Sequence, residues 1–147
     1  MEHTTYDHNE YAALVLRVAL GGMYLSHGLI KLFVFTLAGT VGFFESIGYP
    51  GFFAYVVTFA EIGGGLLLIA GVYTRWVAIA LVPILLGAMQ FHFGNGFLFS
   101  VQGGGWEYPL FLMILSGVVA LMGDGAYALL SMIHHTDDHH PGLGAAH

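Results

Sequence analysis

His27 and Lys31 stand four residues apart in an apolar stretch, so on a helix they share one face. An imidazole that titrates near neutrality, beside an ammonium, suits proton exchange and the stabilisation of charge on oxygen. Glu61 sits in the middle of a second apolar stretch, His92 closes a third and Glu107 opens a fourth. Ionisable groups inside a membrane span cost at least about 2.5 kcal/mol on insertion scales, so each calls for a partner or a function. His27, Lys31, Glu61, His92 and Glu107 are therefore the candidate polar pocket, with Glu45 nearby in a connecting segment. Arg17 is the permanent cation of the first stretch's opening half, and it is the expected partner of Glu61 in a structural ion pair. Tyr24, Trp106 and Tyr108 offer rings on which a planar ligand could stack.

The elements that position these residues follow from composition. Of 147 residues, 57% are hydrophobic and only 8% charged, with a mean hydropathy of +0.78. A soluble domain carries about 25% charged residues. This surface has to meet lipid. Three basic against nine acidic side chains give −6, a sign that repels phosphate and argues against nucleic acid as a partner. With no cysteine, thiolate metal sites, iron–sulfur clusters and dithiol chemistry are excluded from the chain, and no metal site is expected in the spans.

A helix needs about 20 apolar residues to span the hydrocarbon core. Four stretches qualify: Tyr11 to about Phe35, Phe52 to Tyr73, Trp76 to Phe93, and a fourth from near Tyr108. The fourth stays uncharged only to Met122, so it is expected to run on past Asp124 toward Leu130 or to sit in thinned bilayer. The fold expected is all-α, an integral membrane four-helix transmembrane bundle over residues 11–130. A polar tail covers 1–10 and a His-rich polar tail covers 131–147. The first residues lack the basic region of a signal peptide. Thr40 is the expected cap of a short interfacial helix resting on Phe43, Phe44 and Ile47. Gly71 to Arg75 reads as a tight turn, and Gly21, Gly22, Gly28, Gly63, Gly64 and Gly65 as sites where helices approach closely.

Four passes put both termini on one side together with the Arg75 turn, and the positive-inside tendency favours the cytoplasm for all three, although Lys31 near the far end of the first pass argues the other way. At about 1.5 Å per residue, His27 and Lys31 then lie roughly 24 and 30 Å in. His92 and Glu107 fall at the same outer level, so these four converge with Glu45 on one outer layer, and Glu61 lies below them near the midplane.

The string LRVALGGMYLSHGLIKL (Leu16–Leu32) resembles the first-helix signature of the DoxX family. TVGFFESIGYPG followed by FAEIGGGLLLIAGVYTRWVAIAL resembles that family's loop and second helix. His92, the Glu107-Tyr108-Pro109 opening and the Gly123-Asp124-Gly125 exit follow in order, so the likeness covers about residues 11–130. It implies a four-helix protein of bacterial inner membranes. Some members are membrane subunits of thiosulfate:quinone oxidoreductase, and others are linked to oxidative-stress complexes or to quinone and catechol detoxification. Arg17, Gly21, His27, Gly28 and Lys31 match the first-helix motif and Glu61 the second-helix acid. The His-rich ends depart from the shortest members.

The resulting expectation is the membrane subunit of a quinone-linked redox complex, with quinone as the ligand and a soluble redox protein as electron source. The rival is a non-enzymatic anchor or small-molecule carrier that assembles with soluble redox partners, as a homo-oligomer if it forms a transport path. No covalently bound cofactor is expected. A haem held by His27 and His92 is the less favoured alternative, which an absorbance spectrum decides. His134, His135, His139 and His140 suggest metal handling by the tail, though such tails are commonly just solvated.

Overall fold

The computed structural model describes residues 7–130 and residue 133. Among the described residues its five longest helices are α1 His8–Phe33, α2 Thr36–Ser46, α3 Phe52–Ala70, α4 Thr74–His92 and α5 Glu107–Met122, with a 3₁₀ turn at Phe93–Asn95 after α4. α1, α3 and α4 are long and apolar enough to cross a membrane, and α5 is a shorter apolar helix of 16 residues. The chain is an all-α, multi-pass membrane protein. All five histidines of the His-rich tail, His134, His135, His139, His140 and His147, lie outside the described residues.

α1 starts with a capping box. The Asp7 side chain accepts from Glu10 N at 2.9 Å and Glu10 Oε2 accepts from Asp7 N at 3.0 Å, which satisfies two otherwise orphaned donors. α1 packs chiefly on α3, and α4 chiefly on α5. In the first of these pairs the contact is made through missing side chains. A β-carbon at Gly65 would lie 2.7 Å from the Gly21 carbonyl oxygen and from Leu25 N. One at Gly28 would lie 2.6 Å from Ile62 Cγ1. Lipid tails are as apolar as leucine, so backbone-to-backbone dispersion of this kind is what holds helices together in a bilayer. Gly22 and Gly63, by contrast, face open space.

The second seam, between α3 and α4, is tight where Leu81 fills the hollow at Gly64. Further along, Val57 and Ala60 of α3 and Pro83 and Gly87 of α4 face a cavity instead of each other. Leu20, Leu68, Leu81, Leu85, Leu112 and Val119 form the buried core beneath it.

One end of the bundle is closed by polar contacts to the backbone. Gly71 (φ 71°) and Tyr73 (φ 48°) turn the chain sharply from α3 into α4. α5 ends at Met122 and does not continue, because Gly123 (φ 79°) and Gly125 (φ 68°) leave the helical region. Asp124 then points back to accept from Thr74 N at 3.1 Å, and Ala126 N donates to Glu10 O at 3.1 Å. The start of α1 and the segment after α5 therefore meet at this turn end, as four passes require. The opposite, loop end carries α2 and residues 93–106.

α2 begins at Thr36, four residues before the expected cap. Thr40 lies inside it, its hydroxyl donating to Thr36 O at 2.9 Å and to Lys31 O at 3.3 Å. It ties α2 to the end of α1. Phe43, Phe44 and Ile47 accordingly close one side of the cavity.

Candidate functional site

The cavity, about 830 Å³, lies among all five helices. Its walls are mostly aliphatic and aromatic, and the ionisable groups on them are His27, Lys31, Glu61 and His92. Those four expected pocket residues therefore share one space.

Lys31 Nζ donates to Glu61 Oε2 at 2.7 Å, the ion pair found among the described residues. The Lys31 side chain is 20% exposed and that of Glu61 6%. This corrects the expected Arg17–Glu61 pair, and the reason lies in helix geometry. Side chains on an α-helix lean toward its N-terminus. α1 and α3 run antiparallel, so Arg17 leans toward the turn end while Glu61 leans toward the loop end, and they diverge. Lys31 leans back along α1 and converges on Glu61.

Arg17 is fully buried and holds backbone carbonyls instead. Nη1 donates to Ile69 O at 2.8 Å and Leu68 O at 3.2 Å, and Nη2 donates to Ala126 O at 2.8 Å. The first two are among the last carbonyls of α3, where the helix dipole places negative charge. A β-carbon at Gly71 would collide with Nη1, so glycine is needed there for space as well as for its positive φ.

His27 Nδ1 lies 2.8 Å from Met23 O. A carbonyl only accepts, so Nδ1 carries the proton. The ring stacks on Tyr108, centroids 6.2 Å apart at 29°. The Tyr108 hydroxyl donates to Met23 Sδ at 3.5 Å. Tyr24 is buried in the same wall, next to the ion-paired end.

His92 is engaged with the loop. Its Nδ1 lies 3.0 Å from Gly103 O and 3.1 Å from Gly104 O, and Asn95 Nδ2 donates to the same two carbonyls. This double clamp folds Gly104, Gly105 and Phe99 over the cavity's end. Glu107 belongs to the clamp and is absent from the cavity wall: its Oε1 accepts from Phe99 N at 2.7 Å. The correction has a simple cause, since a carboxylate in the first turn of α5 has backbone N–H groups of its own loop within reach. Trp106, between Phe93 and Phe97 at 5.5 and 4.7 Å, braces the loop and does not line the cavity. Sequence reasoning missed Phe43, Phe91, Pro83 and Gln90 as cavity walls. Among the described residues no group of three or more His, Asp or Glu side chains is placed to hold a metal ion.

Two tight helix pairs thus part around an apolar chamber, with an ion pair and an imidazole on its wall, in a small multi-pass membrane protein. The chain belongs to the DoxX family, whose pattern matches residues 12–101. It is 36% identical over 120 residues to a Bacillus subtilis (strain 168) protein named "Putative oxidoreductase CatD", covering 82% of this chain and 85% of the relative. It is 30% identical over 130 residues to "Inner membrane protein YqjF" of Escherichia coli (strain K12), covering 82% of this chain and 90% of that relative. No solved structure gives a significant match.

Proposed function

We propose that this protein is the quinone-binding membrane subunit of a redox system, with the chamber holding the ring of a lipid-soluble quinone. The observation that carries this reading is one cavity of about 830 Å³, apolar over most of its wall, that gathers His27, Lys31 and Glu61 at one end. The volume suits a substituted ring with a short stretch of tail. Tyr108 and His27 present a stacked pair of rings, and Lys31 Nζ has donors beyond the one given to Glu61. The name of the Bacillus subtilis relative, an oxidoreductase, agrees with it. Electrons come from a soluble redox protein that docks on the membrane subunit.

A short-chain benzoquinone titrated into the purified protein in lipid nanodiscs is expected to bind saturably, one per chain. Tyr108→Leu removes an aromatic contact of about 0.5–1.5 kcal/mol and should weaken binding roughly two- to tenfold. Binding no greater than to empty nanodiscs would end this reading.

The same proposal places the protein in the bacterial inner membrane with the turn end in the cytoplasm. The name of the Escherichia coli relative and the Arg75 charge at that end both support it. A cysteine at Tyr73, which is exposed in the turn, should react with a membrane-impermeant maleimide only after the cells are opened. Labelling in intact spheroplasts would reverse the orientation.

A further inference from the structure

The hydrogen-bond polarity of the chamber says which form of the ring it is built for. Building on the quinone-site reading above, we infer that the site takes the reduced, hydroxyl-bearing ring in preference to the oxidised dicarbonyl.

A quinone carbonyl can only accept hydrogen bonds, whereas a phenolic hydroxyl donates one and accepts others. His27 spends its Nδ1 proton on Met23 O. In the neutral imidazole the remaining nitrogen, Nε2, is then an acceptor, and it lies on the ring edge away from that backbone carbonyl. The side chain lines the cavity, and Nε2 has no partner among the described residues. Glu61 accepts from Lys31 on Oε2, which leaves Oε1 as a second acceptor in the same wall. His92 repeats the pattern, with Nδ1 directed at Gly103 O and Gly104 O.

Against these acceptors stands one charged donor, Lys31, and the Gln90 amide, whose Oε1 accepts from the Tyr49 hydroxyl, adds a neutral donor on the same wall. The Tyr24 hydroxyl is buried out of a ligand's reach. Around the ion pair a dicarbonyl ring would find Lys31 for one oxygen and would set its other lone pairs against carboxylate and imidazole lone pairs. A dihydroxy ring satisfies both kinds of group: an oxygen accepts from Lys31 while its hydrogen goes to Glu61 Oε1 or His27 Nε2. Unsatisfied acceptors in a dry site are costly, so the mismatch favours the reduced ring. The preference is built by backbone carbonyls that fix both imidazole tautomers, and it does not depend on which substituents the ring carries.

The test compares three ligands of one shape by calorimetry under anaerobic conditions, using the full chain in nanodiscs. They are tetramethylhydroquinone, tetramethylbenzoquinone and the dimethyl ether of the hydroquinone, which cannot donate. The hydroquinone is expected to bind at least tenfold tighter than either other ligand. A tenfold preference corresponds to a rise of about 30 mV in the two-electron potential of the bound couple. In His27→Leu the ratio of hydroquinone to quinone affinity should fall toward one, while both affinities drop together as the ring stacked on Tyr108 is lost. Equal or tighter binding of the quinone by the wild-type protein overturns the inference and leaves the quinone site standing. An undiminished preference in His27→Leu also overturns it, because the acceptor assigned here would then be irrelevant. Binding of none of the three removes both the inference and the site on which it rests.

Discussion

Replacing Arg17 with methionine is expected to lower the stability of the folded protein by about 3–5 kcal/mol, the range for removing one partner of a buried charged network. Methionine fills comparable volume, so the loss is not a cavity effect. It comes from the Ile69 and Ala126 carbonyls, each 2.8 Å from the guanidinium, which would be left in an apolar interior without a donor. Arg17→Lys should recover little, because a single ammonium cannot reproduce a planar fork that reaches α3 and the segment after α5 together. Thermal unfolding in detergent, followed by size-exclusion of the remaining monodisperse fraction, measures this. A methionine variant that unfolds within a degree or two of the parent would show that the turn end is held by other contacts.

Glu61→Gln should destabilise the fold by about 3 kcal/mol, toward the low end for a broken buried pair because Lys31 keeps 20% exposure. The informative comparison is the double variant Lys31→Met with Glu61→Leu. Buried ion pairs are often no more stabilising than apolar residues of similar volume, so the double variant should regain most of the lost stability. It should nevertheless bind the hydroquinone at least tenfold more weakly, since donor and acceptor are both gone. Recovery of stability together with unchanged binding would make the pair a structural feature of the α1–α3 contact and nothing more.

Much of the fold is legible in the sequence because hydrophobic length is a strong signal in lipid. The α3 start at Phe52, the Gly71–Arg75 turn and the convergence of His27, Lys31, Glu61 and His92 all follow from apolar runs and a constant rise per residue. What depth alone does not give is azimuth and lean. Arg17 and Lys31 are both plausible partners of Glu61 by height, and the direction in which side chains tilt on antiparallel helices separates them. The glycines show the same limit. Gly63, Gly64 and Gly65 are adjacent in sequence, yet they face open space, Leu81 and Gly21 respectively. Local competition hid the rest. Glu107 at the expected depth was taken by Phe99 N of its own loop, and His92 by the carbonyls of Gly103 and Gly104. After Glu107, α5 meets no charge before Asp124, but the positive φ of Gly123 and Gly125 ended it first.

The unequal helices have a consequence for the surrounding bilayer. α1 has 26 residues, about 39 Å of helix, and α5 has 16, about 24 Å. A hydrocarbon layer near 30 Å cannot match both within one rigid bundle. Beside α1 the surplus is taken up by tilt and by the polar first turn. Beside α5, Phe111, Ile114 and Leu121 face the acyl chains, which must compress to meet them, at a fraction of a kcal/mol per Å. The lipid annulus is therefore expected to be thinnest along α5, which predicts enrichment of short-chain lipids on that flank.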